Sequence, residues 1–168
     1  GRYTYFVFIF LETMPTKQGY ECSCKKLYTW LNCSVLSCLS SLNCKSIGTT
    51  NVGLVASDGC LMGKVYERYF SEIYPNANII YPDDDMQKLV TKGICNIKNT
   101  HRFDSLSSQE RPCNIFEKIR KHLMDKGSEA IIMGCTDIRV DYHSTRADVI
   151  DSLEVLADAI VNLNNIKI

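Results

Sequence analysis

A chain of 168 residues is the length of one ordinary domain and can bury an apolar core without metal or disulfide staples. Its 19 basic and 19 acidic residues cancel, and no Lys/Arg run of the kind that follows a phosphate backbone occurs, which argues against a nucleic-acid partner. The longest apolar run, Tyr3 to Leu11, is far short of the roughly twenty residues that cross a bilayer, which argues against a membrane partner.

That run reads as a buried strand rather than the remnant of a signal sequence, because no small-residue cleavage site follows it. Gly1 is not Met, so the chain is read as a processed form or a fragment. Nine cysteines are present, and five of them (Cys22, Cys24, Cys33, Cys38 and Cys44) crowd the first quarter. A disulfide framework needs an oxidising compartment, whereas the other four are scattered through ordinary α/β patterning, which suits reduced thiols and a cytoplasmic location. A zinc site wants paired C-x2-C spacings, and the first five cysteines are separated by one, eight, four and five residues, so no metal is expected. Asn32-Cys33-Ser34 forms a glycosylation triplet of a kind that arises often by chance. Residues 1–48 show no sustained period and read as an atypical, irregular amino-terminal segment, with a helix over Lys25–Leu36 and a turn-rich connection over Ser37–Ser46.

From residue 49 to 168 the pattern is that of an α/β domain: a mainly parallel sheet with helices on both faces. Asn51–Ala56 is an apolar strand ending in the turn Ser57-Asp58-Gly59. A helix from Cys60 to Ile73 follows, with Val65, Tyr69, Phe70 and Ile73 on one face. Ile79–Tyr81 is a strand stopped by Pro82. Asp83, Asp84 and Asp85 then open a helix over Met86–Ile97, where carboxylates meet the positive end of the helix dipole; capping explains this run better than a metal site does. His101–Pro112 is a polar loop, and Ile115–Lys126 is a helix closed by Gly127. Ala130–Met133 is a strand running into Gly134-Cys135-Thr136-Asp137. Val149–Ile150 is the last strand, and Asp151-Ser152 caps a helix over Leu153–Leu163.

Ligands bind at the carboxyl ends of strands in open α/β sheets, and Cys135 stands at such an end between two small residues. Backbone N–H groups there can stabilise a thiolate. Cys95 and Cys113 read as packing and incidental residues.

Four segments, NVGLVASDGCLMGKVYERYF, IIYPDDDMQKLV, EAIIMGCTDIRV and VIDSLEVLADAIV, resemble in order the motifs of aspartate/glutamate racemases over residues 51–162. Gly134-Cys135-Thr136-Asp137 is similar to the family's Gly-Cys-Thr-Glu, whose cysteine is one of two catalytic thiols. The resemblance implies a cofactor-independent amino-acid racemase acting on aspartate or glutamate, with Cys135 catalytic and no pyridoxal group. It further implies that Thr136, Ser57, Gly59 and Lys98 bind substrate and that two copies pair as a homodimer. Ser57-Asp58-Gly59-Cys60 stands where the family has Thr-x-Gly-Thr, so the last hydroxyl is a thiol. Lys98 reads equally well as a solvated helix-end cation. The family's first catalytic cysteine lies in Cys-Asn-Thr, which does not occur; Asn32-Cys33-Ser34 is nearest in composition, and Cys22 and Cys24 are nearer in spacing. The family's Gly-rich amino-terminal unit is also absent, so residues 1–48 read as the remnant of a first lobe. The alternative is therefore a truncated, non-catalytic racemase-like protein with a binding or assembly role, and a cysteine-rich metal module comes third.

Overall fold

A computed structural model of the chain describes residues 24–98, 108–143 and 145–164. The strand expected at Tyr3–Leu11, Cys22 and most of the loop expected at His101–Pro112 lie outside them. Helix α1 (Cys24–Ile47) leads into β1 (Asn51–Val55), a short helix α2 (Asp58–Met62) and α3 (Val65–Ile73). Then come β2 (Asn78–Ile80), α4 (Asp84–Lys98), a 3-10 turn at Ser108–Glu110, α5 (Pro112–Asp125), β3 (Ala130–Met133), a second 3-10 turn at Ile138–Val140, β4 (Val149–Asp151) and α6 (Ser152–Asn164).

The four strands form one parallel sheet in the order β2-β1-β3-β4, as the alternation of short apolar runs with amphipathic stretches predicts. Side chains alternate across it. Val52, Leu54, Ala130, Ile132 and Ile150 pack with Cys44, Val65, Tyr66 and Phe70 on the face covered by α1, α3 and α6. Val55, Ile131 and Met133 pack with Val90, Ile94, Ile115, Phe116, Ile119 and Leu123 on the face covered by α4 and α5. Among the described residues no helix is long and apolar enough to cross a membrane.

Two expectations are corrected. Ser37–Ser46 is no turn-rich connection: it continues a single helix over 24 residues, so that part of the amino-terminal segment is regular. Ser34, Ser37, Ser40 and Ser41 are fully buried beside Leu36, Cys38 and Leu39, so polar-looking residues occupy the packed side, and hydropathy has no period to show. Serines of this size let helix backbones approach closely. Ser41 returns its hydroxyl proton to the Cys38 carbonyl at 2.7 Å, as mid-helix serines do.

The helix expected from Cys60 to Ile73 is broken instead of continuous. Gly63 closes α2, and Lys64 takes a left-handed conformation with φ of 48° before α3 begins. At roughly 100° per residue, an unbroken helix would place Cys60 opposite the Val65, Tyr66, Tyr69 and Phe70 stripe. The break buries both. Elsewhere the expected elements hold to within a few residues. Gly127 takes a φ of 93° just past α5, where the Ser128 N–H reaches back to the Leu123 carbonyl at 3.1 Å. Asp151 caps α6 by accepting from the N–H groups of Leu153 (2.9 Å) and Glu154 (3.3 Å).

The long connection from β3 to β4 is tied down from the α5 side. Arg120, buried in α5, binds both Glu117 carboxylate oxygens (3.0 and 3.1 Å) and also pairs with Asp148 at the end of that connection. The Tyr142 hydroxyl donates to Glu117 at 2.8 Å, and Asp141 accepts the Cys113 N–H at 3.0 Å. These donors, the Arg120 bonds first, hold the Glu117 carboxyl down at about 2. A depressed carboxyl pKa contributes stability that is present above the ordinary carboxylate value and is lost as pH falls toward the folded value. Urea midpoints are therefore expected to fall as pH drops from about 4.5 toward 2. Arg120→Met should reduce that contribution, leaving the part due to Tyr142 and Arg146, and cost about 3–5 kcal/mol at neutral pH by stranding two carboxylates. Unchanged neutral stability in the variant would refute this account of the network.

Candidate active site

The sheet's carboxyl end is where β1 and β3 release their chains side by side, joined by a last bond from the Gly134 N–H to the Val55 carbonyl at 2.8 Å. Gly134 is required there. A Cβ on it would stand 2.8 Å from the Tyr66 hydroxyl and 3.0 Å from its ring, so only glycine lets the strand end pass over that buried side chain. The Ser152 hydroxyl donates to the Met133 carbonyl at 2.8 Å and fastens α6 to the same point.

One residue further on, Cys135 is half-buried and packs against the apolar cluster beneath α4 and α5. Its thiol donates to Asp137 Oδ2 at 3.6 Å, and Lys98 Nζ lies 3.0 Å from that same oxygen. Thiol and ammonium therefore share one carboxylate. Burial pushes the Cys135 pKa up; the Asp137 backbone N–H pulls it down, the Asp137 carboxylate raises it and the Lys98 charge lowers it. Lys98 is itself held more firmly protonated, chiefly by its bond to Asp137. Both members of the Lys98–Asp137 pair are well exposed, at 59% and 37%, so it contributes no more than about 1 kcal/mol and parts readily.

Ser57 precedes α2 without capping it through its side chain, which leaves the hydroxyl at the sheet's carboxyl end. Gly59 has open space where a Cβ would be, so no packing demand explains a glycine there. Cys60 is buried against the core and faces away from solvent. Thr136 is exposed beside Cys135. Of the residues singled out from sequence, Cys135, Thr136 and Lys98 thus gather around Asp137, while Ser57 and Gly59 lie on the neighbouring loop.

Sequence reasoning gave Asp58 no role beyond the turn, yet it fixes that loop. Its two carboxylate oxygens accept from Gln87 Nε2 at 2.7 Å and Thr91 Oγ1 at 2.8 Å, both on α4, and Gln87 also donates to the Ala56 carbonyl at 3.1 Å. The i, i+4 spacing of two polar residues on an otherwise amphipathic helix was the available signal. Asp84 and Asp85 occupy the first turn of α4, as a capping role predicts, and Asp83 pairs with Lys126 and His122. Cys95, expected to pack, is exposed. Cys113 is half-buried where α5 begins.

A half-buried thiol at a strand's carboxyl end, with a cation and a carboxylate beside it, stands where open parallel sheets bind ligands and makes this the candidate site. No protein-family model matches the sequence. Among solved structures, a Yersinia pestis protein assigned provisionally as an Asp/Glu racemase matches with a TM-score of 0.63 and 20% identity, over 76% of this chain and 54% of that one. Picrophilus torridus aspartate racemase matches with a TM-score of 0.58 and 23% identity, over 77% of this chain and 50% of that one. The fold resemblance read from the sequence is thereby established: the described residues have the fold of these racemase structures, and the chain spans about half their length.

The electrostatics make opposed predictions for two variants. Asp137→Asn removes the carboxylate but keeps the backbone N–H, and should shift the pH profile of Cys135 alkylation by iodoacetamide to lower pH; Lys98→Met should shift it upward. Peptide mass spectrometry separates Cys135 from the other thiols. Shifts of the same sign in both variants would overturn the arrangement.

Proposed function

We propose that the chain is an amino-acid racemase of the aspartate/glutamate type, working by thiol proton transfer at Cα without a pyridoxal cofactor. The observation that carries the reading is Cys135, half-buried at the carboxyl end of a central strand and coupled to Lys98 through Asp137, on a fold shared with racemase structures. Thiolate at Cys135 removes the α-hydrogen from one face of the bound amino acid, and a second acid returns a proton to the other face. The two groups exchange roles when the reaction runs backward.

The substrate is an amino acid with a side-chain carboxylate. Lys98 offers a cation whose present partner is a carboxylate, and an acidic ligand can replace Asp137 there because the exposed pair is weak. The Asp137 backbone N–H and the Lys98 charge both favour the thiolate that this reaction needs. Thr136 and Ser57 supply hydroxyl donors, and the open space at Gly59 lets a carboxylate approach the backbone.

Proton NMR of L- and D-aspartate and glutamate in heavy water tests this directly. The chain should exchange the α-hydrogen, and Cys135→Ala should slow exchange by about a hundredfold or more. No exchange from folded protein would sink the enzyme reading and leave a racemase-like fold with a binding or assembly role.

A further inference from the structure

The turn that follows Cys135 carries a second cation, which the reading above leaves unused. Arg139 lies in the 3-10 turn Ile138–Val140, whose first N–H returns to the Cys135 carbonyl at 3.1 Å. Its Nη1 donates to Asp151 Oδ2 at 2.5 Å, and its Nη2 lies 3.2 Å from His143 Nε2. Asp151 ends β4 in register with Met133, so it stands one strand spacing, about 4.8 Å, from the end of β3. Strand alternation fixes its side. Ile150 packs with the cluster under α1, α3 and α6, and Val149 with the cluster under α4 and α5. Asp151 therefore points to the α4 and α5 side, as Met133 and Cys135 do. Lys98 reaches the same stretch of chain from α4, through Asp137. Two cations, one from a helix and one from the turn itself, are thus held along the four residues that follow the thiol.

The Arg139 guanidinium is only partly neutralised where it lies. Asp151 Oδ1 accepts the N–H groups of Leu153 and Glu154, so its negative charge is shared with the amino end of α6. At Nη2 the partner is an imidazole. Arginine has no acceptor, so His143 Nε2 accepts there and brings no negative charge. The Arg139 side chain is 33% exposed, whereas His143 is fully in the exposed class and can be displaced. A planar fork with a carboxylate on one terminal nitrogen and a neutral, exposed side chain on the other is suited to take a second carboxylate through Nη2 and Nε.

We infer that Arg139 sets the preference of this site for an acidic side chain, receiving the side-chain carboxylate of the substrate in place of His143; the inference rests on the racemase reading above. Lys98 shares Asp137 with the thiol, so a carboxylate held by Lys98 lies next to the reacting carbon and is the α-carboxylate. Arg139, anchored one strand further out at the end of β4, takes the more distant one.

Exchange of the α-hydrogen in heavy water, measured on the full chain with aspartate and alanine in competition, tests this. Alanine lacks only the side-chain carboxylate, so the ratio of the two exchange rates isolates what that group contributes. The unaltered chain should favour aspartate, and Arg139→Met should cut the preference by about tenfold to a hundredfold, as expected for loss of hydrogen bonds to a charged group. Arg139→Lys keeps a cation for Asp151 without the fork and should still lose about tenfold. A residue that served only to tie the turn to β4 would be restored by lysine. Melting curves establish which variants are folded, and Arg139→Lys decides the matter where Arg139→Met does not fold. No aspartate preference in an active unaltered chain, or an undiminished preference in a folded Arg139 variant, overturns this inference alone. Absence of exchange with aspartate and alanine alike in the unaltered chain overturns the racemase reading along with it.

Discussion

The parallel pairing of β1 with β3 decides where chemistry can sit in this molecule. Both strands are buried on both faces and run in the same direction, so their loops emerge together at one end. The last bond of the pair, from Gly134 to Val55, brings Ser57-Asp58-Gly59 and Cys135-Thr136-Asp137 alongside each other. Everything else near the site serves to hold those two loops. Tyr66 fills the space under Gly134, α4 reaches both loops through Asp58 and Asp137, and the Arg120 network steadies the chain that leaves toward β4.

The energies divide the same way. The network around Arg120 is buried, bidentate and costly to break, whereas the Lys98–Asp137 pair is exposed and weak. Under the racemase proposal, in which the site admits a charged ligand, that contrast is an advantage: the frame is costly to break, while the contact that the ligand would displace yields for about 1 kcal/mol or less.

Most of the α/β unit was legible in the sequence because its strands are short, wholly apolar runs and its helices carry one apolar face. Val90, Ile94 and Ile97, or Ile115, Ile119 and Leu123, announce their buried side by spacing alone. The exceptions share a cause, which is that residue type and environment disagree. Helix α1 buries serines, so hydropathy conceals it. The break at Gly63-Lys64 is invisible because the residues on both sides favour helix, and only the need to bury Cys60 together with Tyr66 reveals it. At the site, Cys135 was legible from its position after a strand. The partnership of Lys98 with Asp137 was not, since it depends on how far apart two distant segments come to rest.

The burial of thiols separates two fates under oxidative stress. Cys38, Cys44 and Cys60 lie in the core, out of reach of peroxide, and burial pushes the Cys38 pKa up and the Cys44 pKa up to about 12. Cys95, Cys113 and Cys135 are open to attack to different degrees. Among the described thiols, oxidation therefore begins at Cys95, which is exposed, ahead of the half-buried Cys113 and Cys135. If Cys135 acts as proposed, a molecule oxidised there loses its activity while its core is intact, and a reductant can recover it as long as the sulfur has gone no further than sulfenic acid.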